Sequence, residues 1–195
     1  MTELERALRR IAGDLDRRSM SWCLVGGLAV GTRAEPRTTR DVDIAVAVVD
    51  DAEAEQLIAE LRGEGYEIAT VLEHQVLSRL ATVRLVSRGA ALPVTVGLLF
   101  APTGIERDIC AAAERLELVP GLAVPVAQTG HLIAMKLLAR DDRTRPQDYD
   151  DLRALLRHGG DRAVATAREA IARIQEIGAG RGRDLSAALL ELLSD

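Results

Sequence analysis

Aromatic residues are nearly missing from this chain. Trp22, Tyr66, Phe100 and Tyr149 are the whole supply, 2% of the sequence. A module that grips single strands by stacking bases on successive rings is therefore excluded as the main reading. Cysteine is almost as scarce: Cys23 and Cys110 make neither a disulfide framework nor a zinc site. Net positive charge is absent too. The formal charge is −5, so a protein that coats nucleic acid along its whole surface is excluded, and a nucleic-acid partner would have to meet a local patch. No apolar run is long enough to span a bilayer. The opening MTELERALRR reads as a charged amphipathic helix and not as a signal peptide, so the expected compartment is the cytoplasm. Lysine occurs once, at Lys136; arginine supplies every other basic side chain.

What is present is aliphatic. Hydrophobic residues make up 48% of 195, enough for a sizeable core of Leu, Val, Ala and Ile. Leu4, Leu8, Ile11 and Leu15 recur at helical spacing over 3–18. Residues 22–25 read as a short buried strand, 26–31 as a glycine-rich turn running into a short helix, and 41–49 as a strand. Asp50-Asp51 caps a helix over 52–63. Strands are expected at 66–72, 80–87 and 94–100, a helix at 104–115, and a loop at 118–126. Beyond that the pattern turns helical, at 128–140, 146–157, 161–178 and 184–193. The predicted class is α+β: a small mixed sheet flanked by helices (1–126), with a C-terminal helical bundle (127–195) packed on it as one unit.

Chemistry concentrates in LVGGLAVGTRAEPRTTRDVDIAV, residues 24–46. Side chains alternate along a strand, so Asp41 and Asp43 share a face. Two carboxylates one strand-step apart repel unless a cation sits between them, and hard oxygen donors suit Mg²⁺, which keeps waters and takes phosphate oxygens as further ligands. Gly26-Gly27 lets backbone N–H groups come close to a phosphate, and a following helix N-terminus adds to it. Together the set describes a nucleoside triphosphate held between amides and a metal. Arginines crowd the same motif (Arg33, Arg37, Arg40) and a later loop (Arg140, Arg143, Arg145).

This stretch is similar to the opening motif of the nucleotidyltransferase superfamily, whose fold is polymerase-beta-like. GHLIAMKLLARDDRTRPQDYDDLRALL, residues 130–156, resembles the AbiEii-type toxins of type IV toxin–antitoxin systems, including the tRNA-modifying MenT toxins of mycobacteria. The matching positions are Lys136, Arg140, Asp148 and Asp151. The resemblance implies nucleotidyl transfer: Asp41 and Asp43 hold Mg²⁺, Gly26, Gly27, Arg40 and Lys136 bind the nucleotide, and Asp151 takes the acceptor's proton or orients the metal. It implies the 3′-end of tRNA as acceptor and a cognate antitoxin, in some systems kinase-like, as partner. Thr39 is then a candidate phosphorylation switch, because a phosphate there would repel the nucleotide. One position departs from the pattern. Gly97 stands where a third carboxylate is usual, so weak catalysis or a non-catalytic nucleotide-binding module is an alternative, as is transfer to a protein or small molecule.

Overall fold

The structure, a computed structural model, describes residues 1–74 (for His74 the backbone alone), 79–87, 94–101, 103–141 and 146–194. The expected loop arginines Arg143 and Arg145 lie outside the described residues. The elements follow in the order α1 (Glu3–Arg17), β1 (Ser21–Val25), α2 (Gly26–Arg33), β2 (Asp41–Ala47), α3 (Asp51–Gly63), β3 (Tyr66–His74), β4 (Arg79–Ser87), β5 (Thr95–Leu99), α4 (Glu106–Ala111), β6 (Glu114–Val119), β7 (Leu122–Val126), α5 (Thr129–Ala139), α6 (Gln147–Glu176) and α7 (Leu185–Ser194).

Among the described residues the strands form a mixed seven-stranded sheet in the order β3-β4-β5-β2-β1-β7-β6. β2 is central, antiparallel to β1 and parallel to β5. The alternation along β2 sorts its residues. Val42, Ile44 and Val46 are fully buried on one face, while Asp41 and Asp43 point to the other. The first face is closed by α1: Trp22 Nε1 donates to Asp16 Oδ1 (2.8 Å) and the Tyr66 hydroxyl to Asp14 Oδ2 (2.7 Å). Burial comes first in raising the Tyr66 pKa, and that hydrogen bond adds to it. On the opposite face α4 covers the β1–β2 end. There Cys110 Sγ meets the Ala45 carbonyl at 3.4 Å, and its hydrogen bond with Cys23, followed by burial, pushes the Cys23 thiol up.

Three expectations are corrected. The helix expected over 104–115 ends at Ala111, and the expected loop 118–126 is the second half of a hairpin, β6–β7. The turn falls at Pro120-Gly121, with Gly121 at φ +73°. Glu-Arg-Leu-Glu-Leu-Val carries the alternation of a strand, but Pro125 in the partner argued against one. Proline is tolerated because β7 pairs with β1 only at Leu24–Val126, beyond the proline. α2 also starts at Gly26 itself, so no turn separates it from β1.

After β7 the chain forms α5 and α6, which pack closely. A Cβ on Gly130 would lie 2.5 Å from the Ala163 carbonyl oxygen and 2.7 Å from the Ala167 nitrogen. α6 is broken at Gly160 (φ 60°, ψ −167°), which separates the segment carrying Asp148 and Asp151 from the Ala163–Ala167–Ala170 stripe. One continuous hydrophobic core links α1, the sheet and α5–α7.

Candidate active site

β1 ends at Val25 and α2 begins at Gly26, with no side chain capping the helix and no acidic residue in its first turn. Val25, the N-cap residue, thus offers the first N–H groups no side-chain acceptor, an arrangement suited to receiving an anion. Gly26 sits at φ +64°, and a Cβ there would fall 2.2 Å from Asp43 Oδ2. Any side chain at 26 would displace the carboxylate. Asp43 pairs in register with Val25 on one side and Gly97 on the other. A Cβ on Gly97 would in turn lie 2.7 Å from Asp43 Oδ1. The Asp43 carboxylate thus lies between two glycines that leave it room. Asp41, two residues back on the same face, is exposed at the strand's first position.

A second group forms where α5 meets the first turns of α6. Lys136 Nζ lies 2.6 Å from Asp148 Oδ1 and 2.7 Å from Asp151 Oδ2. All three are buried, Asp148 to 1% exposure. Lys136 is therefore no snorkelling surface residue, and Asp148 does more than decorate a helix N-terminus: each needs the other's charge to be buried at all. Arg37 joins the two groups. Its Nε is 3.0 Å from Asp151 Oδ1, and its guanidinium lies over Gly27, where a Cβ would come within 2.6 Å of Nη2. Thr39 Oγ1 sits beside it, 2.9 Å from the same point.

The sequence model of the family described as "Nucleotidyl transferase AbiEii toxin, Type IV TA system" matches residues 6–195. The chain belongs to the AbiEii nucleotidyltransferase family.

Solved structures of the same fold include an antigenic nucleotidyltransferase-like protein from Paracoccidioides brasiliensis (18% identity, 96% of this chain and 92% of that one, TM-score 0.57). They also include ANT(2″)-Ia in complex with adenylyl-2″-tobramycin (14%, 88% and 99%, TM-score 0.57). The lincosamide antibiotic adenylyltransferase LnuA, lincomycin-bound, is a third (16%, 80% and 96%, TM-score 0.51). At these identities the likeness is one of fold. No curated protein matches the sequence.

Against this AbiEii frame, Gly26, Gly27, Asp41 and Asp43 fall together, and Lys136 and Asp151 form the second cluster. Arg40 is exposed beside Asp41 and has no ion pair among the described residues. The Arg140 guanidinium lies 5.0 Å from the centre of the Tyr149 ring. Arg33 is structural: it donates to the Ala127 and Val126 carbonyls and pairs with Glu114, whose pKa this lowers. The sequence marks Arg37 only as one of the arginines crowding the motif; its pairing with Asp151 was missed, because that partner is 114 positions away (151 − 37). Among the described residues no three or more His, Cys, Asp or Glu side chains gather as a metal cage. Asp41 and Asp43 are the residues that could hold Mg²⁺, an ion commonly bound by one or two carboxylates plus substrate phosphates. The residues present are compatible with such an ion: Gly26 and Gly97 put no Cβ against the Asp43 oxygens.

Proposed function

We propose that this AbiEii protein transfers nucleotides from a magnesium-bound nucleoside triphosphate to the 3′-end of tRNA, which blocks aminoacylation and translation. The observation that carries the reading is the Asp43 carboxylate set directly against the uncapped start of α2, between Gly26 and Gly97. A triphosphate on those N–H groups would lie beside the Asp41–Asp43 face. Mg²⁺ bound there would neutralise phosphate charge and polarise the reacting phosphoryl group. The chain's own residues position. The α2 amides and Gly27 hold the leaving phosphates, and Arg37 and Lys136, already at the cradle's edge, offer cations to them. Asp151, which pairs with both Arg37 and Lys136, is proposed to hold these cations in position and so to orient the metal-bound phosphates, while the attacking hydroxyl's proton is lost to water.

Thr39 serves regulation in this reading. Its hydroxyl lies over Gly27, so a phosphate on it would occupy the mouth of the cradle and repel a nucleotide. The proposed modifier is the cognate antitoxin, kinase-like in chemistry. Intact mass after co-expression should show one added phosphate that Thr39→Val abolishes.

The test of the reaction uses purified protein, Mg²⁺, total tRNA and each α-labelled triphosphate in turn, beside Asp41→Ala. Label on tRNA that disappears in the variant supports the reading. Label migrating with a small molecule or protein, or none at all from folded enzyme, refutes the RNA acceptor.

A further inference from the structure

In-line displacement places the attacking oxygen opposite the departing pyrophosphate. If the pyrophosphate is held by α2 at the β1 side of Asp43, the acceptor must enter from the other side, over β5 and β4. The register defines what it meets there. Asp43, Gly97 and Arg84 are successive cross-strand partners on β2, β5 and β4, and so share one face. Gly97 puts no side chain between them. Arg84 stands two strand spacings from Asp43, about 10 Å, a span that a terminal nucleotide and its phosphate can bridge. Its guanidinium is exposed and, among the described residues, has no ion pair. Around it on this face lie half-buried Thr82, Val86 and Thr95, and Thr70 opposite on β3; Glu67, opposite Val86, is the carboxylate nearest in register.

We infer that Arg84 is an acceptor-positioning residue: it holds a backbone phosphate of the RNA strand whose terminal hydroxyl lies over Gly97. This rests on the RNA-acceptor reading and gives the departure at Gly97 a purpose. A side chain at 97 would push Asp43 aside and also fill the approach of the acceptor. The ligand recognised is a polyanionic strand, since a lone guanidinium offers nothing to a cationic small molecule.

The experiment compares wild type, Arg84→Ala and Arg84→Lys in steady-state labelling of tRNA at several salt concentrations, with nucleotide binding measured separately by calorimetry. Arg84→Ala should raise KM for RNA about tenfold and flatten the slope of log KM against log salt by about one contact. Nucleotide affinity should stay unchanged, and Arg84→Lys should keep the salt slope and recover part of the KM. Wild-type KM and slope in Arg84→Ala, with RNA still labelled, would overturn the proposal alone. Loss of nucleotide affinity in Arg84→Ala would overturn it as well, by placing Arg84 on the donor side. A wild-type enzyme that labels no RNA would overturn the acceptor reading and this proposal with it.

Discussion

Asp43 is constrained from both sides by the absence of side chains, and that makes the glycines around it the sharpest probes at the scale of single residues. Gly97→Ala places a Cβ 2.7 Å from Asp43 Oδ1 as the side chains now stand. The carboxylate has to turn, because it is the movable partner. The expected result is an intact fold with unchanged thermal midpoint and nucleotidyl transfer reduced by about 10²-fold, the usual consequence of misplacing a reacting group by an ångström. Transfer at the wild-type rate would show that Asp43 tolerates the shift. Lys136 behaves differently. Lys136→Met removes the ammonium that Asp148 and Asp151, both nearly inaccessible, share, while Arg37 stays on Asp151. Removing one partner of a buried ion pair costs about 3–5 kcal/mol. Urea unfolding should register that loss, and Asp148→Asn in the same chain should return part of it. Inactivity of a Lys136 variant thus assigns it a nucleotide-binding role only after its stability has been measured. The Asp-x-Asp alternation and the glycine pair were readable in sequence because both are local. The contact of Gly97 with Asp43 was not, since it depends on the register between two strands far apart in the chain.

Among the elements, α6 has a break that separates the turns carrying Asp148 and Asp151 from the rest of the helix. Gly160 sits at φ 60°, ψ −167°, a region essentially reserved for glycine. Nothing lies within 4 Å of where its Cβ would be, so Gly160→Ala tests backbone conformation without packing. It should destabilise by about 1–3 kcal/mol in urea unfolding, or straighten α6 and move the aspartates away from Lys136. An unchanged midpoint with full activity would show that the break is dispensable. The break itself was legible as the Gly159-Gly160 interruption between two helical patterns. The β6–β7 hairpin was not. Its alternation is short, it contains Pro125, and it is stabilised by a parallel partner, β1, that precedes it by about a hundred residues. Long-range pairing overrode the local signal.

For the molecule as a whole, Glu106 gives a pH signature separate from the candidate site. It is 2% exposed and accepts from the Thr103 N–H (2.8 Å) and Thr103 hydroxyl (2.5 Å). Burial nevertheless dominates and raises its pKa above 4.5. The folded state therefore holds the proton more tightly than the unfolded one. Its contribution to stability is fully present below the unfolded value and is lost as pH rises through the folded value. Glu60, Glu64 and Glu114 are shifted the opposite way by Arg partners and hydrogen bonds, so they oppose this trend at lower pH. The measurement is thus a difference. Wild-type stability minus that of Glu106→Gln, from urea midpoints, should fall as pH rises from about 4.5. A flat difference would mean Glu106 stays ionised in the fold. No helix among the described residues is long and apolar enough to cross a membrane.

The amino-acid sequence by itself determined the mixed sheet followed by helices, the glycine pair and the carboxylate pair, and it singled out the one lysine. Each is written in spacing, periodicity or residue type within a few positions. The tertiary structure alone decided that Lys136 is buried between Asp148 and Asp151, that Arg37 ties that cluster to Gly27, and that Asp43, Gly97 and Arg84 line up across three strands. These depend on strand register and helix packing, which arise when distant segments compete to bury the same apolar surface, and no local stretch encodes the outcome of that competition.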